Sequence, residues 1–209
     1  MTNPKKEYAK REPLANDEIL AMLKKADEIK NEYFRLRVKA LIGLLKKFGK
    51  RRIEIARLKR SNLEVKEDYL YVTFTLAKKR KDNLTSLHKV SCRDFYAKLI
   101  IEYMEHLKQH VPNTVYLFPS GKAVFESYII LPDKHLSGRQ LLRLVKQLNP
   151  RTWMHLFRER LGGEIAERMG RTIGAVEEVK DVLDLEKEET AWHYVKRFAA
   201  HEAPTEIIE

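Results

Sequence analysis

A tyrosine stands near the C-terminal end of the chain in TAWHYVKR, residues 190–197, just after the acidic run LEKEE and just before a short tail. Tyr194 has two readings. With Trp192 and Val195 beside it on a late helix, its ring can be part of a docking face. Alternatively its phenol oxygen can attack an electrophile such as a phosphodiester. The second use is demanding, because a free phenol has a pKa near 10 and ionising it at pH 7 costs about 4 kcal/mol. Positive charge and a proton acceptor nearby must lower that cost, so the choice rests on which other residues reach the phenol.

Three other stretches carry groups suited to a phosphate. In GKRRIEIARLK, residues 49–59, a glycine ends one apolar segment and the next begins with Arg51. An arginine there lies beside the free amides of a helix N-terminus, where an anion is welcome. Lys50 and Arg52 flank it as candidate DNA contacts. The bland reading is a solvated basic face, or a simple ion pair between Arg51 and Glu54 at i,i+3. His155 and Arg158 lie three apart on one helix edge, opposite Trp153 and Phe157, so both polar heads can point into one cleft. The turn KKRK, Lys78 to Lys81, can grip backbone phosphate through Lys78, Lys79, Arg80 and Lys81 without any chemistry.

The elements that must position these groups read as helices, a small sheet, then more helices. Asn16 or Asp17 can cap a helix with Ile19, Leu20, Leu23 and Ala26 on one face. A second helix carries Leu41, Leu44, Leu45 and Phe48 and stops at Gly49, and a short third begins at Lys50 or Arg51. YLYVTFTL at 69–76 is dense in β-branched and aromatic residues, and SLHKVSC after the basic turn reads as a return strand, giving an antiparallel hairpin. Asp94 caps a helix to about His110. The stretch 121–136 has no clear pattern. Ser137 starts a helix to about Leu148, broken by Asn149-Pro150. A further helix through Trp153, Leu156, Phe157 and Leu161 is expected to end at Gly162-Gly163, with short helices at 164–169 and 174–183 and a last one over TAWHYVKRFAA. The fold class is mainly α with a small antiparallel β-sheet.

A net charge of +11 on 209 residues means self-repulsion that a polyanionic partner would relieve, which favours nucleic acid over a membrane surface. Cys92 is the only cysteine, which excludes an intrachain disulfide and a cysteine-rich metal site, and fits an intracellular, cytoplasmic protein. The N-terminus lacks the apolar run of a secretory signal, and no stretch approaches the roughly 20 apolar residues of a spanning helix, so no membrane partner is expected. The 34% charged content, rich in Lys and Glu, leans toward a thermophile. Residues 1–13 read as a flexible arm, 14–197 as one domain and 198–209 as a tail with a possible role in oligomerisation.

PLANDEILAMLKKA, GKRRIEIARL, the strand with its KKRK turn, MHLFR and VLDLEKEETAWHY occur in one order, and together they resemble the catalytic domain of the tyrosine recombinases, the phage-integrase superfamily. More loosely they resemble the integrases of archaeal viruses and plasmids. The resemblance covers about 14–197. It assigns the first catalytic arginine to Arg51 through the pattern G-x-R-x-x-E-L, the catalytic lysine to Lys78 or Lys79, the H-x-x-R box to His155 and Arg158, and the nucleophile to Tyr194. A second register, with Arg151 in the histidine slot and Met154 in the arginine slot, would delete an arginine the chemistry needs. The family's glycine and histidine before the tyrosine are here Asp184 and Leu185, so the hydrogen-bond donor expected there is missing. No separate DNA-gripping domain, usual in these recombinases, is expected in the residues before 14, so the sequence reads as a catalytic fragment or truncated relative.

What the resemblance implies is a site-specific recombinase or integrase working on double-stranded DNA with no metal, ATP or other cofactor. The two arginines would neutralise the phosphate, His155 would take or relay the phenol's proton, and Lys78 or Lys79 would protonate the departing 5′ oxygen. The product would be a 3′-phosphotyrosyl link that a second DNA end can reverse. Strand exchange implies self-assembly on DNA into dimers or tetramers. The competing readings are an inert DNA-binding module of the same fold and a type IB topoisomerase-like enzyme.

Overall fold

The computed structural model describes residues 12–77, 84–124 and 127–199. The described residues begin with two helices, α1 (Asn16–Asp27) and α2 (Glu32–Phe48), followed by the short α3 (Arg52–Ala56). Asn31 starts α2 by accepting a hydrogen bond from the Phe34 amide at 3.1 Å, and Gly49 ends it in the left-handed region at φ 54°. That conformation suits glycine because no Cβ meets the preceding carbonyl. The cap of α1 falls one residue before the first of the expected positions, on Ala15, and Glu18 reaches back to accept from its amide at 2.9 Å.

A three-stranded antiparallel sheet comes next, in the order β1 (Leu63–Lys66), β2 (Tyr69–Thr75) and β3 (Thr85–Ser91). The sequence reading foresaw β2 and β3 and missed β1, which is four residues long and has one buried side chain, too little for an alternation to show. β2 turns Leu70, Val72 and Phe74 inward, and the Phe74 ring meets Phe48 of α2 at 5.5 Å between centroids. This contact seats the sheet on the helix that leads into α3. α4 (Phe95–His110) follows, capped as expected by Asp94, which accepts from the amides of Tyr96 and Ala97. It lies along α2, with Tyr103 and Ile100 fully buried.

The unpatterned stretch 121–136 is a second hairpin, β4 (Pro119–Val124) with β5 (Ser127–His135), antiparallel and irregular between Pro119 and Ser120. Its strands are solvent-facing on both sides for much of their length, as with exposed Ile129 and Tyr128, so no alternation of apolar and polar residues announces it. α5 (Gly138–Leu148) is capped by Ser137, with Gln140 returning the bond.

The last three helices are α6 (Met154–Met169), α7 (Ile173–Val182) and α8 (Glu188–Phe198). Here the sequence reading needs correction. α6 runs unbroken through Gly162 and Gly163, where an end was expected. The glycines serve packing: a Cβ on Gly162 would lie 2.5 Å from Tyr194 Cδ1, and one on Gly163 would lie 3.1 Å from the Phe198 ring. They let α8 approach α6 closely, a tertiary demand that local propensity does not reveal.

Buried side chains form two clusters. The larger runs from Leu14 to Phe157. The smaller joins the second half of α6 with α7 and α8 through Ile165, Val176, Val179, Leu183, Ala191 and Val195. The loop 49–51 and the turn 183–187 meet along the seam between them. Among the described residues no helix is long and apolar enough to cross a membrane.

Candidate active site

Arg51 occupies the N-cap of α3 with an extended backbone, and Glu54 one turn later reaches back to it. Glu54 Oε2 accepts from the Arg51 amide at 2.8 Å, and Oε1 accepts from Arg51 Nη1 at 2.9 Å and from the Ala77 amide at 3.2 Å. The i,i+3 ion pair is therefore present. It also orients the arginine: the Glu54 side chain is fully buried while that of Arg51 is 26% exposed, so the remaining guanidinium edge faces outward. The same carboxylate holds the end of the β2 strand beside Arg51.

Arg158, on the first turns of α6, is buried. Its Nη1 donates to the Gly49 carbonyl at 2.9 Å and its Nη2 donates to the Leu183 carbonyl. Burial pulls its pKa down and Arg51 adds to that pull, while Tyr194 and Glu54 act the other way. An arginine begins so high on the scale that it stays charged. His155, one turn earlier, is exposed, with Nε2 3.8 Å from Glu159 Oε1. Arg51, Arg52, His155 and Arg158 share a cleft of about 230 Å³, with Trp153 forming part of its wall.

Tyr194 sits on the inner side of α8, half-buried, with its ring over Gly162. Burial raises the pKa of its phenol. The charges of Arg158 and Arg51 oppose that rise, whereas Glu159 reinforces it. Arg197 Nη1 donates to Glu159 Oε2 at 3.2 Å.

Of the residues singled out in the sequence, Arg51, His155 and Arg158 line one cleft, whereas Tyr194 lies outside its lining, its ring packed on Gly162 one turn along α6 from Arg158. Arg52 is exposed at the same cleft. Arg151 lies elsewhere, paired with Glu18 through Nε at 2.6 Å, and Met154 is buried, so the second register places no cation at the site. Lys78, Lys79, Arg80 and Lys81 lie outside the described residues. The residues around them are tied down: Leu76 donates to the Leu84 carbonyl at 2.9 Å.

The expectation that Lys50 contacts DNA is corrected. Its residue is 1% exposed, and its ammonium is paired with Asp184 beneath the site. Asp184, Ser86 and His88 around it were missed. A glycine slot filled by aspartate was a visible signal, since Asp184 adopts φ 46°, a region where Asp is better tolerated than most residues. Nothing in the sequence paired it with Lys50. Leu185 lines a second cleft beside Arg51, together with Lys187 and Thr190.

A family model described as the phage integrase family matches residues 12–201. No curated protein matches the chain significantly. Among solved structures the chain resembles XerH site-specific recombinase bound to palindromic difH substrate in a post-cleavage complex, with a TM-score of 0.63 and 16% identity over 90% of this chain and 50% of that one. It also resembles XerA recombinase, at 0.62 and 17% identity over 88% and 60%. A lambda integrase (75-356) dimer bound to a COC′ core site matches at 0.53 and 16% identity over 93% and 62%. At these identities the likeness is one of fold, and the chain spans only half to about three-fifths of the proteins it matches.

Proposed function

The chain belongs to the phage integrase family, and on that premise we propose that it is the catalytic part of a site-specific recombinase that cuts and rejoins double-stranded DNA through Tyr194. One observation carries the reading: Arg51, His155 and Arg158 line one open cleft, and the Tyr194 ring packs on Gly162, one turn along α6 from Arg158. A phosphodiester seated there would be gripped by two permanent positive charges. The phenol oxygen would form a bond to phosphorus as the bond to the 5′ oxygen breaks, leaving a 3′-phosphotyrosyl link and a 5′ hydroxyl.

Burial raises the phenol's pKa in the free protein, so ionisation must be coupled to the attack. His155, at the cleft's edge, is the proposed acceptor or relay for that proton, and Lys78 or Lys79 is the proposed donor to the 5′ oxygen. Preorganised donors aimed at the phosphate's growing charge are worth about 10²- to 10³-fold each in rate. The +11 charge supports a DNA partner, as do the DNA-bound relatives. The lambda integrase dimer supports assembly of several copies on DNA, and with it an intracellular, DNA-associated protein. Arg52, Arg80 and Lys81 are proposed to hold flanking backbone.

The test is covalent capture on a nicked suicide DNA. Wild type should form an adduct and Tyr194→Phe none, with DNA binding retained. An adduct from the variant, or none from wild type, would sink the assignment, the latter leaving an inert DNA-binding module. Relaxation of supercoils without site preference would instead indicate a topoisomerase-like enzyme.

A further inference from the structure

Next to the cleft lies a buried polar knot around Lys50. The Lys50 side chain is wholly buried and pairs with the Asp184 carboxylate. Its Nζ also lies 3.2 Å from the Val182 carbonyl and 2.6 Å from His88 Nε2, with the Phe74 ring centroid 5.3 Å away. Ser86 Oγ donates to Asp184 Oδ1 at 2.6 Å and lies 2.6 Å from His88 Nε2. Burial alone would raise the Asp184 carboxyl, yet the charge of Lys50 and the hydrogen bonds from Lys50 and Ser86, with His88 Nε2 3.7 Å away, hold it well below the usual carboxylate range. Three segments meet here: the loop between α2 and α3, strand β3, and the turn between α7 and α8.

Stability does not explain such a knot. Desolvating two opposite charges costs about as much as their attraction returns, and a well-packed apolar pair of the same volume does as well or better. What an ion pair supplies and an apolar pair does not is a single register, because each charge tolerates one arrangement of partners. The position of the knot shows what is being held. Lys50 immediately precedes Arg51, and Asp184 lies ten positions before Tyr194. Arg158 ties the same two segments in parallel, through the carbonyls of Gly49 and Leu183.

We propose that Lys50 and Asp184 are positioning residues: their buried pair holds the turn in front of α8 against the arginine loop, and so sets where the Tyr194 phenol stands relative to Arg51 and Arg158. The inference rests on the recombinase reading above, in which neither residue touches DNA. Asp184 also reaches β3 through Ser86, so the strand that returns from the basic turn is held to the same point.

Lys50→Met keeps bulk and removes the charge, and Asp184→Gly suits the left-handed backbone and removes the carboxylate. In the free protein, Lys50→Met should raise hydrogen exchange over residues 183–194 at least about tenfold while α2 and α4 stay protected. On suicide DNA it should slow single-turnover cleavage about 10- to 100-fold at saturating DNA, with Kd changed less than about threefold. The double variant, with no unpaired buried charge, should regain thermal stability but not cleavage. Cleavage that returns together with stability, or exchange over 183–194 that stays at the wild-type level, would overturn the proposal. If wild type forms no Tyr194 adduct, the recombinase reading and the link to attack fail together, and exchange still decides whether the clamp holds the turn.

Discussion

Arg158 Nη1 donates to the carbonyl oxygen of Gly49 at 2.9 Å, across 109 positions of sequence. The bond joins the helix that carries the H-x-x-R box to the residue that turns the chain toward Arg51. A side chain proposed to bind phosphate is thereby also a strut, and substitutions should separate those two roles.

Arg158→Lys keeps the charge, but a single ammonium cannot span the Gly49 and Leu183 carbonyls as the guanidinium does. At least one buried acceptor is left unpaired, which costs about 1–3 kcal/mol of stability. Cleavage should fall by about 10²- to 10³-fold. Denaturant melts and covalent capture measure the two losses, and a lysine variant that cleaves normally would show that the fork is dispensable.

Gly162→Ala sets two effects against each other. Alanine improves helix propensity by up to about 1 kcal/mol, whereas its methyl would intrude at 2.5 Å on Tyr194 Cδ1, an overpacking that costs about 1–3 kcal/mol. The clash wins, and what must move is the ring. A modest drop in melting temperature should accompany a loss of cleavage of about 100-fold, with gel-shift affinity for DNA little changed.

Glu54→Gln exchanges one accepting oxygen for an amide. Both Glu54 oxygens accept, from the Arg51 amide, Arg51 Nη1 and the Ala77 amide, so the new NH₂ must oppose a donor. Stability should drop by about 1–3 kcal/mol, and Arg51 should lose its orientation. Cleavage at saturating DNA is the readout, and a rate equal to wild type would show that Arg51 needs no such guide.

Acid stability should depend on Asp184. Its carboxyl is held well below the usual range in the folded protein, so near and below the unfolded value of about 3.9 the unfolded chain binds more protons. The stability it contributes is complete above about pH 4 to 5 and is lost as pH falls further. Urea melts between pH 6 and 3, values of about that span chosen to bracket the unfolded pKa, should show a shallower acid decline for Asp184→Asn than for wild type. Parallel declines would mean the carboxylate gains nothing from its partners.

Much of the fold could be read along the chain because its signals are local. Asp94 and Ser137 cap the helices expected of them, Gly49 ends α2, and the β-branched run at 69–75 forms the central strand. Where the reading missed, the deciding contact was remote. β1 is too short to alternate, β4–β5 is too exposed, and Gly162-Gly163 reads as a helix end until Tyr194 and Phe198 are seen lying on it.

The site divides in the same way. The order and spacing of Arg51, His155, Arg158 and Tyr194 are properties of the sequence, and the family resemblance they carry singled out the groups proposed for the site. Which lysine faces solvent was not decided there. Lys50 and Arg52 look alike beside Arg51, yet one is buried against Asp184 and the other is open to the cleft. Only the tertiary structure made that distinction, because burial and charge pairing depend on segments more than a hundred residues apart meeting at one seam.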